Sequence, residues 1–212
     1  MNTPAHVIFS LSLLGHARAS QYAIAIAVGA VLPDLLMVVF YGYQKILGVS
    51  EQTIWNEKYF LTEWQHSFDL FNSIPILTLL AIVSWKTRKQ VWFMVFTSMV
   101  IHCLLDLPVH HDDGHRHFFP LSDFRFQSPI SYWDPNHYGG IVSILEILLV
   151  LIGVAYLWRA ESGFQQNLRQ KTQQSIQNRL ISPSRLQIVL LIVLVIYSLF
   201  FLFVVRVWIG AN

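Results

Sequence analysis

Apolar positions along the chain gather into six runs, at 4–17, 20–41, 68–85, 90–107, 140–158 and 187–208. A bilayer core about 30 Å thick takes about 20 apolar residues of helix to cross. Four runs come close to that length: 20–41 (SQYAIAIAVGAVLPDLLMVVFY), 90–107, 140–158 and 187–208. The 68–85 run is slightly short, and 4–17 is shorter still, fitting a tilted span or a helix that dips partway in. The pattern predicts an all-α fold, a polytopic transmembrane helical bundle of about five to six helices. Polar stretches at 42–65, 109–138 and 159–186 separate the runs. The last (RAESGFQQNLRQKTQQSIQNRLISPS) is Gln-rich and basic, a helical linker ending near Pro183. With no internal repeat and no Gly/Ser linker, the chain reads as a single integral membrane domain over 1–212.

Composition supports the same class. Hydrophobic residues make up 54% and charged residues 12%, against about 25% charged in a water-soluble domain. A net charge of +2 is too small to suggest a nucleic-acid partner. Cys103 is the one cysteine, which excludes an internal disulfide and a Cys-based zinc site. The opening MNTPAH carries no Lys or Arg, unlike a secretory leader, so 1–20 is expected to stay in the mature protein.

Basic residues set the expected orientation. If all six runs cross, Arg18, Lys86, Arg88, Lys89, Arg159, Arg169, Lys171, Arg179 and Arg185 share one face, nine of the fourteen Lys and Arg. That face is expected to be cytoplasmic. His6, Asp34, His66, Asp106, Glu146 and the whole 109–138 loop then lie on or toward the opposite side. Only His16 and Glu161 fall on the basic face.

The chemistry concentrates in IHCLLDLPVHHDDGHRHFF (101–119). His102, Asp106, His110, His111, Asp112, Asp113, His115 and His117 fall within sixteen residues. His102 and Asp106 are spaced i, i+4, on one helix face a turn apart, where imidazole and carboxylate can hold one cation. Pro108 closes the helix, and His110 and His111 follow. Asp34 in AVLPDLLMVVF costs roughly 2.5–3.5 kcal/mol to insert, so it must face protein, water or a cation; Pro33 beside it predicts a kink. Glu146 in IVSILEILLVLIG is either protonated and shared between helices or held ionised by a cation. His6 (TPAHVIFS) and His66 (WQHSF) each open an apolar run, as ligands or as interfacial histidines. His115, His117 and His137 read first as loop histidines that see solvent. Asp123 is expected to pair with Arg116 or Arg125, and Asp134 before Pro135 to start a turn.

TPAHVIFS, LPDLL, WQHSF and IHCLLDLPVH, in that order on successive apolar helices, resemble the bacterial inner-membrane metal-dependent hydrolase family. FPLSDFRF (119–126) is similar to a segment that recurs after the last motif. The resemblance covers most of 3–126 and promotes His6 to a ligand. HCLLDLPVH is also distantly similar to zinc-dependent phospholipase C and the related single-strand nucleases, all-helical enzymes that hold metals with His and Asp. Two departures stand out: the spacing from Asp106 to His110 is short, and the late His-x-x-x-Glu has no match, since position 142 is Val and only Glu146 remains.

The expectation is a multi-pass protein of the inner membrane with a metal-dependent hydrolytic site on the non-cytoplasmic side. The expected ligands are His6, Asp34, His66, His102, Asp106, His110, His111 and Glu146, with Asp34 and Asp106 as catalytic groups. A divalent metal, zinc first, suits this nitrogen and oxygen set. The expected substrate is a lipid or amphiphilic phosphoester or ester. The alternatives are a metal-binding or metal-transport membrane protein without catalysis, and a scaffold whose histidines act only as contacts.

Overall fold

The computed structural model describes residues 1–172 and 183–210, and among them every regular element is helical. Helix α1 (Thr3–Leu14) starts after Asn2 with Pro4 in its first turn, where a missing N–H costs nothing. It stops at Gly15, whose φ of +80° suits a residue without Cβ. Helix α2 (His16–Ile46) runs 31 residues. Its non-helical backbone dihedrals fall at Tyr22, not at Pro33, where the sequence placed the kink.

The polar stretch after α2 is not a plain loop. Ser50 Oγ accepts the Thr53 N–H to start a short turn, α3 (Glu51–Thr53), which passes into a wider turn over Ile54–Lys58. The 68–85 run also divides in two. Helices α4 (Thr62–Phe71) and α5 (Ile74–Lys86) are bent by 42° at the break between them. Ser73 caps α5 by accepting the Ile76 N–H, with Pro75 in the first turn. The 109–138 loop satisfies groups freed by the break: Ile74 N–H donates to the His117 carbonyl, and His117 Nδ1 to the Asn72 carbonyl.

Helix α6 (Gln90–Asp106) tightens into a 3-10 turn over Leu107–Val109 around Pro108. Helix α7 (Gly139–Thr172) is 34 residues long and carries the first part of the expected linker as continuous helix. The remainder of that linker, through 182, lies outside the described residues. Helix α8 (Arg185–Gly210) follows.

Three helices, His16–Ile46, Gln90–Val109 and Gly139–Gln166, are long and apolar enough to cross a membrane; the bent α4–α5 pair makes a fourth if it is one span. Ile144, Leu148, Leu151 and Ile152 stand exposed along α7, a surface suited to lipid rather than water. Among the described residues the core has three parts. Ala5, Ile8, Leu11, Ala23, Ile26, Val150, Leu157 and Leu190 join α1, α2, α7 and α8. Leu77, Val95, Met99 and Cys103 join α5 to α6. Phe40, Ile54, Tyr59 and Phe68 pack under the outer turns.

Gly29 brings α2 against α6. A Cβ there would lie 2.2 Å from the Val95 carbonyl oxygen, so only a glycine allows the approach. The contact is then pinned by Ser98 Oγ donating to the Ile26 carbonyl at 2.7 Å. One further turn along, the same register delivers His102 to α2.

Candidate metal centre

Three side chains from distant parts of the sequence meet in one buried group: His6 on α1, and His102 and Asp106 on α6. One nitrogen or oxygen from each lies within 4.8 Å of the others. The two imidazoles stack, centroids 3.6 Å apart and planes 17° apart. Both rings are fully buried.

Asp106 is the hub. His6 Nε2 lies 3.0 Å from Oδ1 and His102 Nε2 3.0 Å from Oδ2. His110 Nε2 is 3.3 Å from Oδ1, and the Met1 amino nitrogen 2.8 Å. Asp34 adds a second carboxylate, with Oδ1 3.5 Å from His102 Nε2 and Oδ2 accepting the Thr3 hydroxyl at 2.5 Å. Pro108 and its 3-10 turn explain His110: the chain reverses just past α6 and lays the imidazole back on the last carboxylate.

The tautomer of His102 follows from its other side. Nδ1 lies 2.8 Å from the Ala30 carbonyl oxygen, which can only accept, so Nδ1 carries the proton. In the neutral ring Nε2 is then a lone pair facing Asp106. A metal-ligating histidine has this form, with its far N–H held by a carbonyl or carboxylate. His102 Nε2 and both nitrogens of His6 are buried without a hydrogen bond aligned to any partner. Buried imidazole nitrogens rarely go unpaired. Three imidazoles crowded on one carboxylate are more easily satisfied by a shared cation than by three separate protons. The donor set therefore fits a divalent metal with nitrogen and oxygen ligands.

The structure corrects three of the expected ligands. His66 is exposed on α4 and stacks on Phe119, centroids 5.5 Å apart; it does not reach the group. His111 turns away, with Nδ1 2.6 Å from the Ser128 carbonyl and its ring stacked on His137. Glu146 is buried beside the group, but its carboxylate is taken by the Asn2 N–H at 3.2 Å, the Asn2 side-chain amide at 2.7 Å and the Tyr197 hydroxyl at 3.1 Å. It anchors the start of α1, which places His6. His6, Asp34, His102, Asp106 and His110 do come together.

The 109–138 loop is held by Asp69, a residue outside the expected ligand set. This fully buried carboxylate on α4 accepts from Arg116 N–H at 2.9 Å and Arg116 Nε at 2.6 Å. Arg116 also reaches Asp123 at 2.6 Å, the pairing expected for Asp123. Asp134 caps its turn by accepting the Asn136 N–H. His115 and His117, expected in solvent, are buried instead. Burial, with help from the neighbouring His117 and His110, lowers the His115 pKa to about 4. Burial would also lower His110, but the adjacent Asp106 and Asp113 carboxylates outweigh it and raise that group to about 9.

A cavity of about 720 Å³ opens onto the group. Its lining combines polar groups, among them Asp34, Asp106 and His110, with the apolar side chains of Met37, Val38, Trp55 and Phe60. The buried rings of His6 and His102 lie behind the carboxylates. At the far end of the bundle, His16 Nε2 meets the buried Glu161 at 3.0 Å, so the two polar residues assigned to the basic face pair with each other. Compared with known protein families, characterised proteins and solved structures, the chain finds no match.

Proposed function

We propose that this protein is a membrane-embedded, metal-dependent hydrolase acting on a phosphoester of a lipid-like amphiphile. The observation that carries the proposal is the joining of two features: a buried His6–His102–Asp106 group, and a cavity lined both by Asp34 and Asp106 and by Val38 of α2. Val38 both lines the cavity and is 63% exposed. An amphiphile can thus present its head to the carboxylates and leave its tail along α2.

His6, His102 and Asp106 would hold the metal, with Asp34 and His110 at the open side. Zinc suits this mixed imidazole and carboxylate set. When bound, a divalent cation makes water a stronger acid and offsets negative charge on an attacked phosphoryl oxygen. Asp34, which lines the cavity beside His102, would accept a proton from an attacking water. The Thr3 hydroxyl and His102 fix its orientation. The order of the short motifs supports membership of the inner-membrane hydrolase family they resemble.

For the membrane arrangement we propose five to six crossings: α2, the α4–α5 pair, α6, α7 and α8, with α1 as a short sixth. At about 1.5 Å per residue, the 12 residues of α1 span about 18 Å, shorter than the other crossings. Excess Lys and Arg at the His16–Glu161 end argues for a cytoplasmic location there, and for the site facing outward from the inner membrane.

A metal transporter is the competing reading. Transport needs polar groups along the full depth, yet Ile8, Leu11, Ala23 and Ile26 pack between the two polar ends. The test is turnover of short-chain lipid phosphodiesters and phosphomonoesters by metal-loaded protein in detergent. Hydrolysis falling by about 10²-fold or more in Asp34→Asn is expected. Metal-loaded protein that turns over neither class would leave a binding protein or a transporter.

A further inference from the structure

The acidic cavity holds a single Lys or Arg side chain among its lining residues, Arg125. Four carboxylates share the lining: Asp34, Asp106, Asp112 and Asp113. A cavity so acidic repels anions unless fixed positive charge offsets it. Without a metal, that end is matched within itself: the Met1 amino group lies 2.8 Å and His110 Nε2 3.3 Å from Asp106, and His110 Nδ1 3.0 Å from Asp113, which leaves little charge over for a phosphate. Arg125 is the positive group of the lining that has no such direct carboxylate partner.

Its setting differs from that of Arg116, though both lie near Asp69. Arg116 is bound directly to Asp69 and Asp123, so its charge is matched. Arg125 lies 3.9 Å from Asp69, beyond hydrogen-bond reach. Its side chain is fixed by two neutral acceptors: one η nitrogen donates to the Gly114 carbonyl at 2.7 Å, the other to Gln65 Oε1 at 2.8 Å. Gln65 is itself held by donating to the Tyr59 carbonyl at 2.7 Å. Five N–H groups on a guanidinium, less two so used, leave three for a ligand. The side chain is 36% exposed. A rigid, partly unmatched guanidinium with free donors is suited to oxyanion recognition.

We propose that Arg125 forms an anion subsite that binds a phosphate oxygen of the amphiphile and selects anionic over neutral head groups. This deepens the hydrolase reading and rests on it for the identity of the site, but its test does not require turnover or metal. The apolar wall of Trp55, Phe60 and Val38 takes the chain attached to that phosphate, so an alkyl phosphate binds better than free phosphate.

The experiment uses the whole chain in a neutral maltoside detergent, with chelator present, and three probes: octyl phosphate, inorganic phosphate and octyl glucoside. Calorimetric titration is expected to show octyl phosphate binding weakened about tenfold or more in Arg125→Gln, and less so in Arg125→Lys, with octyl glucoside unchanged. Wild-type protein supplies a second readout that needs no variant to fold. Modification of Arg125 by phenylglyoxal, followed by mass spectrometry, is expected to slow several-fold with octyl phosphate. Inorganic phosphate should slow it only at much higher concentration, and octyl glucoside not at all. Equal binding of octyl phosphate to wild type and Arg125→Gln, or no protection of Arg125, would overturn the subsite. Inorganic phosphate matching octyl phosphate would overturn its assignment to an amphiphile. Either result leaves the metal-dependent reading standing, because that reading rests on metal content and turnover.

Discussion

His102 and Asp106 stand one turn apart on α6, with Nε2 3.0 Å from Oδ2, while the far nitrogen of the same imidazole donates to the Ala30 carbonyl on α2. The geometry of the His/Asp group is therefore set from a neighbouring helix, and the α2–α6 distance controls it.

That distance depends on Gly29. In Gly29→Val the new Cβ meets the Val95 carbonyl oxygen at 2.2 Å and Ser98 Cβ at 2.9 Å, so α6 must shift. The expected loss is about 1–3 kcal/mol of stability, with weaker metal retention because His102 leaves Ala30. Gly42 on the same helix has open space around its Cβ, and Gly42→Val is expected to change neither property. Thermal unfolding in detergent, with metal content measured alongside, checks the pair. Equal behaviour of the two variants would contradict the role given to Gly29.

Asp69 holds the outer loop to α4. Asp69→Ala leaves Arg116 with the exposed Asp123 and the face of the Phe119 ring. Removing one member of a buried pair costs about 3–5 kcal/mol. The expected result is rapid proteolysis within 110–126, with Asp69→Asn intermediate because its side-chain oxygen can still accept. A loop equally resistant in Asp69→Ala would show that other contacts suffice.

His115 gives the outer loop a pH dependence of known sign. Its folded-state pKa is lowered, chiefly by burial, so the unfolded chain takes up the proton first. Its stabilising contribution is complete above about pH 6.5 and is lost as pH falls from there toward about 4. The slope is up to about 1.4 kcal/mol per pH unit. Between pH 7.5 and 5, wild type is expected to lose more thermal stability than His115→Leu. Parallel losses would assign the acid sensitivity elsewhere.

Much of the fold is legible in the sequence because lipid-facing helices are apolar all round, and length then decides. The 90–107 run matches α6 within a residue, and 20–41 and 140–158 fall inside α2 and α7. Helix ends were less legible. Polar side chains beyond the apolar run, such as Arg159 and Gln165, continue α7 without an apolar signal to mark them. The α4–α5 break turns on Ser73 capping and on His117 supplying backbone partners from far along the chain, which no local pattern announces.

The site was legible where spacing alone fixes contact. His102 and Asp106 at i, i+4, and His110 a turn beyond Pro108, converge as their positions suggest. His66 failed because one helix face is buried and it lies on the other. Gln65, Phe68 and Asp69 form the buried stripe of α4, continued by Asn72 at its C-terminal cap. Their i, i+3, i+4, i+7 spacing, together with a carboxylate inside SFDLF, was a signal as strong as Asp34 in LPDLL. His111 and Glu146 failed for another reason: the Ser128 carbonyl and the Asn2 amide, remote in sequence, already satisfy them.

Metal content is the most direct test of the shared cation site. Protein purified under metal-replete conditions is expected to retain a divalent metal by elemental analysis. Asp106→Ala should lose most of it, while His66→Ala, altered on the exposed face of α4, should keep the wild-type amount. Metal-free wild type, or Asp106→Ala retaining its full content, would contradict the assignment of His6, His102 and Asp106 as a metal centre.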